Sequence, residues 1–140
     1  IDVESSALNE YDIEIFIKHF VHNLNLYDSF KITDAYLSLN MMTDSLQRQF
    51  VSDVFTQERL DSVKRSKTTT TTTWQEIGFE QQGEKIKVEA IYIRKRRSFD
   101  REALADKAIR IDMILDILPT RTKETPYGLL VSQYKRTPLS

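Results

Sequence analysis

KTTTTTTWQEIGF, residues Lys67 to Phe79, is the stretch on which the reading of this chain turns. Its six consecutive threonines, Thr68 to Thr73, are branched at Cβ, and such side chains favour the extended backbone over the helix. The segment therefore reads as a long strand, not as a polar linker. Trp74 falls on one parity of that strand, whereas Ile77 and Phe79 fall on the other. All three share a face only if an extra residue intervenes, so a β-bulge is expected near Gln75-Glu76, eased by Gly78.

Downstream the strand pattern continues. Gln82-Gly83 marks a turn, and Lys85 to Arg97 reads as the next strand. Ile86, Val88, Ala90 and Tyr92 alternate along it, with Ile91 and Ile93 on the opposite face. Ser98 to Asp106 is a polar connection with room for a helical turn. The cleanest alternation follows, with Ile109, Ile111, Met113, Leu115 and Ile117 set against Arg110, Asp112 and Asp116. That is a strand with one buried and one wet face. Pro119 to Tyr127 reads as a loop and Gly128 to Arg136 as the last strand.

Upstream there is neither glycine nor proline. Ile13, Phe16, Ile17, Phe20, Val21 and Leu24 recur at spacings that put all six on one helical face. Asn9 suits the N-cap, and Glu10 and Asp12 suit the positive end of the helix dipole. Tyr27 to Lys31 breaks the pattern, and Thr33-Asp34 opens a short helix through Tyr36, Leu37 and Leu39. Thr43, with Asp44 beside it, is expected to cap a further helix marked by Leu46, Phe50, Val51, Val54 and Phe55. Gln57 to Lys67 continues as helix with Leu60 and Val63 inward.

Helices followed by a meander of about four strands make an α+β fold, since alternating βαβ units are missing. The expectation is a single domain over residues 1–140, helical over about 9–66 and sheet over about 67–138. A long first helix lying across a strongly curved antiparallel sheet gives a cone with a concavity.

Composition narrows the function. With 40% apolar and 29% charged residues the chain has the makings of a packed core and is not a disordered polymer. Its 20 basic and 21 acidic residues leave a net charge of −1, without the basic excess that drives general nucleic-acid binding. There is no cysteine, hence no disulfide, thiolate nucleophile or sulfur-ligated metal. No apolar run is long enough to span a bilayer.

The residues that carry chemistry elsewhere are poorly placed for it here. His19 and His22 lie three apart on the first helix, a spacing able to supply two metal ligands, but no further ligand cluster completes a site. Asp112 and Asp116 occupy the polar parity of their strand, and Glu89 lies opposite the Ile86/Val88 face. None points into an apolar cavity as a general acid or base would. Glycine occurs only at positions 78, 83 and 128, which excludes a glycine-rich phosphate loop. No catalytic, cofactor-binding or metal-binding residue is therefore expected. The densest charge cluster is Arg94-Lys95-Arg96-Arg97. It reads first as a solvated strand end and second as a grip for an anionic partner.

The most specific stretch comes at the end: Thr125-Pro126-Tyr127-Gly128-Leu129-Leu130-Val131, running into Ser132-Gln133-Tyr134. It resembles the closing strand of the VirB-eight-like family, the bitopic inner-membrane assembly factors of type IV secretion and conjugation machines. In that family, which has relatives of the TraE, TraK and DotI/TraM types, an Asn-Pro-x-Gly turn precedes a strand of the form Gly-apolar-x-Val-x-x-Tyr. Pro126, Gly128, Val131 and Tyr134 match, and Thr125 stands where the family has Asn. The order of helices, then a sheet with a Trp-bearing first strand, is similar as well.

The resemblance implies a nuclear-transport-factor-two-like cone used as a scaffold, without cofactor and without enzymatic pocket chemistry. It implies a periplasmic domain whose transmembrane helix lies upstream of Ile1. The implied partners are the chain itself, as a dimer or higher species, and other secretion-channel subunits. Thr125, Pro126, Tyr127 and Gly128 are the expected contacts, with the exposed side of the first helix, and Arg94, Arg96 and Arg97 as weaker candidates. The alternative is a cone-fold enzyme or small-ligand binder, which needs a cavity with a few convergent polar groups near Trp74 and Tyr92.

Overall fold

The first apolar periodicity is realised as helix α1 (Glu10–Asn25) in a computed structural model of the chain. The structure describes residues 9–25, 32–43, 56–58, 61, 63, 68–98, 106–123 and 125–139. Asn9 caps α1 as its side chain predicts: the Asp12 backbone N–H donates to Asn9 Oδ1 at 2.9 Å. That contact satisfies one of the amides a helix start leaves open. Asn9→Ala is therefore expected to cost about 1 kcal/mol of stability, seen as a lower urea midpoint at unchanged slope.

Ile13, Phe16, Ile17, Phe20, Val21 and Leu24 are all buried along one side of α1. Helix α2 (Ile32–Met42) follows and buries Ala35 and Leu39. Thr43 closes the end of α2, and its expected role as cap of the next helix concerns residues outside those described. Thr43 is buried, its hydroxyl donates to the Leu39 carbonyl at 3.3 Å, and its backbone bridges Val131 in parallel. The helix expected from Leu46 to Phe55 lies outside the described residues. Within the next expected segment, Gln57, Glu58, Asp61 and Val63 are helical, and Val63 is fully buried as read.

Four strands follow: β1 (Thr68–Gln82), β2 (Lys85–Ser98), β3 (Lys107–Ile117) and β4 (Leu129–Pro138). They form an open antiparallel sheet in the order β1-β2-β3-β4. The threonine run is strand throughout, paired from Thr68↔Ser98 to Thr73↔Ile93. The bulge falls where the parity conflict demands it. Trp74 pairs Tyr92 and Glu76 pairs Ile91, leaving Gln75 as the extra residue. Trp74, Ile77 and Phe79 consequently all pack against the core. Gly83, at φ 66°, makes the tight reversal into β2.

The sheet has an inner and an outer face. Ile86, Val88, Ala90 and Tyr92 of β2, and Ile109, Ile111, Met113 and Leu115 of β3, bury the inner face with α1 in one core. The outer face is wet and ion-paired, both across strands and along β3. Lys85 meets Asp116 at 2.6 Å, and Arg110 meets Asp112 at 3.1 Å and Glu89 at 3.6 Å. A second bulge, between Ile114 and Leu115, leaves Ser132 of β4 unpaired, and its hydroxyl donates to the Ile114 carbonyl at 3.0 Å. Bulges bend the strands that carry them, so both edge pairs of this sheet contain a bend. The whole is the expected α+β arrangement of helices on an antiparallel sheet.

Candidate functional site

The turn singled out in the sequence is built from local hydrogen bonds. The Gly128 amide donates to the Thr125 carbonyl at 3.0 Å, closing a four-residue turn with Pro126 and Tyr127 at its centre. Proline suits the second position of such a turn because its ring fixes φ, and glycine suits the fourth. Thr125 is anchored in turn: its amide donates to Thr122 Oγ1 at 3.1 Å, and the two hydroxyls lie 2.7 Å apart. A threonine thus stands at the head of the turn with its side-chain oxygen engaged locally. The Leu118 amide closes the loop onto the Gly128 carbonyl at 2.8 Å.

Gly128 is required by conformation and by space. Its φ is +67°, and a Cβ there would sit 3.2 Å from Arg121 Cγ. A β-branched residue at positive φ is strained. Gly128→Val is expected to cost about 2 kcal/mol in unfolding free energy, and Gly128→Asn clearly less, because asparagine tolerates this region.

Side chains dock the turn on α1. The Tyr127 ring meets Phe16 edge-on, with centroids 6.2 Å apart at 73°, and Arg121 lies 3.8 Å from Asp12 in the first turn of the helix. Between α1, α2 and the turn runs a groove of about 250 Å³, lined among others by Phe16, His19, Met41, Lys123, Pro126 and Tyr127. Beside it α2 leaves Leu37 56% and Met41 45% exposed. The two contact regions expected from the sequence, the free side of the first helix and the Thr125–Gly128 turn, therefore belong to one surface. Sequence reasoning missed that α2 contributes the third wall. Its signal was available, since Leu37 falls off the stripe of Ala35 and Leu39.

The basic run behaves differently. Strand alternation sends Arg94 and Arg96 to the inner face with Tyr92, and Lys95 and Arg97 to the outer face with Ile91 and Ile93. Their register partners, Thr69 to Thr72 and Lys107, put them at the opposite end of the sheet from the turn, where Ile117 pairs Leu129. The four cations do not form one patch. Glu89, Asp112 and Asp116 lie on the ion-paired outer face as their parity predicted. His19 and His22 are exposed, and among the described residues no group of three or more His, Asp or Glu gathers to hold a metal ion. No described helix is long and apolar enough to cross a membrane.

A buried polar node, with no local signal in the sequence, lies at the end of α1. Asn25, at the end of α1, is fully buried. Its Nδ2 donates to the Val21 carbonyl at 2.8 Å and to the Tyr92 hydroxyl at 2.9 Å. Its Oδ1 accepts from Arg136 Nη1 at 3.1 Å. The Tyr92 ring packs against Trp74 with centroids 5.5 Å apart. The corner expected to hold a ligand cavity is thus occupied by its own side chains.

No family model and no curated protein matches the chain. Solved structures match it along nearly its whole length. The soluble domain of TrwG from the type IV secretion machinery of Bartonella grahamii shares 13% identity, covers 96% of this chain and 97% of its own, and superposes with a TM-score of 0.80. VirB8 of Agrobacterium tumefaciens shares 12% over 94% and 93%, with a TM-score of 0.79. The periplasmic domain of DotI shares 16% over 94% and 97%, with a TM-score of 0.71. The chain has the fold of these type IV secretion domains, the fold that the Thr125–Tyr134 resemblance implied.

Proposed function

We propose that this chain is the periplasmic assembly domain of a type IV secretion or conjugation machine. In this reading it associates with itself and docks other inner-membrane subunits of the channel, held to the membrane by a helix upstream of Ile1. The observation that carries the reading is the end-to-end fold likeness to three type IV secretion components. The groove formed by α1, α2 and the turn supplies the contact surface: exposed Met41 gives it apolar area, extended by Leu37 one turn back along α2, and the turn Thr125, Pro126, Tyr127 and Gly128 gives it a rigid rim. Arg97, exposed on the outer face, is a secondary contact. Individually weak contacts gain strength when many copies are held in one assembly. Catalysis has no part in this mechanism, and the near-neutral charge argues against nucleic acid as a partner.

Sedimentation equilibrium across a concentration series tests the self-association. Pro126 is exposed, so Pro126→Glu places a charge on the rim without straining the turn. Dimers or larger species that grow with concentration and are weakened by Pro126→Glu are expected, with Glu89→Gln on the outer face having no effect. A monomer at every concentration, or association indifferent to Pro126→Glu, overturns the groove as the self-contact. The small-ligand alternative was expected near Trp74 and Tyr92; with that corner filled, the groove is where a compound would have to sit, and one seated there would raise the melting temperature.

A further inference from the structure

The inward half of the basic run meets cations where acids would be expected. Register sets Arg94 between Thr72 of β1 and Lys107 of β3, on the face that bears Tyr92. On that face β4 contributes Arg136, tied through Asn25 to the Tyr92 hydroxyl. Two half-buried guanidiniums therefore flank one buried phenol beyond the end of α1. Among the described residues no Asp or Glu pairs with either arginine, whereas Lys85, Lys87 and Arg110 on the outer face each meet a carboxylate.

The approach of the two arginines does not serve stability. Burial, and after it the like charge of Arg136, hold Arg94 below the ordinary arginine range. A second, independent observation lies on the same face two residues along β1. Thr70 is only 6% exposed, and its Oγ1 has no hydrogen-bond partner, a costly state for a buried hydroxyl. Burial likewise keeps the Tyr92 phenol protonated beyond its usual range, so it remains a donor at neutral pH. Donors and positive charge accumulate here without a carboxylate among the described residues.

The geometry points to a docking site for an acidic segment of a partner protein, with one carboxylate seated between Arg94 and Arg136. Planar guanidiniums match a carboxylate fork to fork. The half-buried Trp74, which pairs Tyr92 in the adjoining row, offers apolar surface to the methylenes of a glutamate, which a free inorganic anion would not use. Exposed Lys107 at the rim suits a second acidic residue in the same segment. This surface is separate from the turn groove, and its occupancy does not depend on self-association.

Trp74 is the only tryptophan and stacks near Tyr92, so intrinsic fluorescence reports on the site. The chain is titrated with a blocked hexaglutamate peptide, a blocked hexaglutamine peptide and inorganic phosphate. A saturable change is expected with hexaglutamate alone, weakened about tenfold or more by Arg94→Gln and unaltered by Lys95→Gln on the outer face. Arg94→Gln should leave the melting temperature of the free chain unchanged or raised, because it removes a repulsion. Four results would each overturn the proposal. They are no response to hexaglutamate, equal weakening by the two variants, equal saturation by phosphate, or a melting temperature lowered by Arg94→Gln as a purely structural arginine requires.

Discussion

Phe20→Ala is expected to lower the free energy of unfolding by about 3–5 kcal/mol. Phe20 is fully buried in the middle of α1, and its ring meets Tyr134 of β4 edge-on at 5.4 Å and 70°. Alanine is the best helix former, so the substitution does not weaken α1 as a helix. What it removes is the apolar area and the ring contact that hold α1 on the sheet. Domains of this size are stable by only about 5–15 kcal/mol, and the loss corresponds to roughly 10 °C in melting temperature. Guanidinium unfolding monitored by circular dichroism gives the number. A loss below about 1 kcal/mol would mean that α1 does not rest on β4 as described.

Asn25→Ala should cost nearly as much, about 3 kcal/mol, through a different cause. The side chain is one donor group and one acceptor serving three partners: the Val21 carbonyl, the Tyr92 hydroxyl and Arg136. Truncation leaves these groups in place and unpaired, and an unpaired buried polar group costs more than its hydrogen bond had contributed. The origin of the effect is checked by a double-mutant cycle. Tyr92→Phe removes the phenol that Asn25→Ala would orphan, so the pair of changes should cost about 1 kcal/mol less than the sum of the two alone. Strict additivity would show that Asn25 and Tyr92 act separately.

The sequence was most readable where a single period governs a segment. Alternation along Ile86–Tyr92 and Ile109–Leu115 located β2 and β3, and the 3.6-residue spacing of Ile13 to Leu24 located the buried side of α1. A broken period was informative as well, since the shift in parity between Trp74 and Ile77 marked the first bulge. The same sign stands in β4, where Leu129 and Val131 share one parity and Tyr134 the other, and it marks the second bulge at Ser132. The sign is fainter there because Leu129, Val131 and Tyr134 are few markers and the residues between them are polar or point outward. The basic run was read as one cluster although alternation already divided it between two faces.

Other features had no local signal. Asn25 and Arg136 are 111 residues apart, and nothing in either neighbourhood announces that they meet. An asparagine near a helix end is ordinary, and its burial depends on strands that the chain has yet to form at that point in the sequence. The groove was legible in its parts but not as a whole. The turn and the helix were each expected to be contacts, and only the docking of Tyr127 on Phe16 joins them to α2.

The assembly reading is tested most directly by transfer through the machine itself. In a host that encodes this chain and a type IV apparatus, the gene is deleted and DNA or effector transfer is measured with the wild-type gene or the Pro126→Glu form restored at equal protein level. Transfer should fall to background on deletion, return with the wild type and remain strongly reduced with Pro126→Glu. Transfer that continues undiminished in the deletion strain would contradict the account.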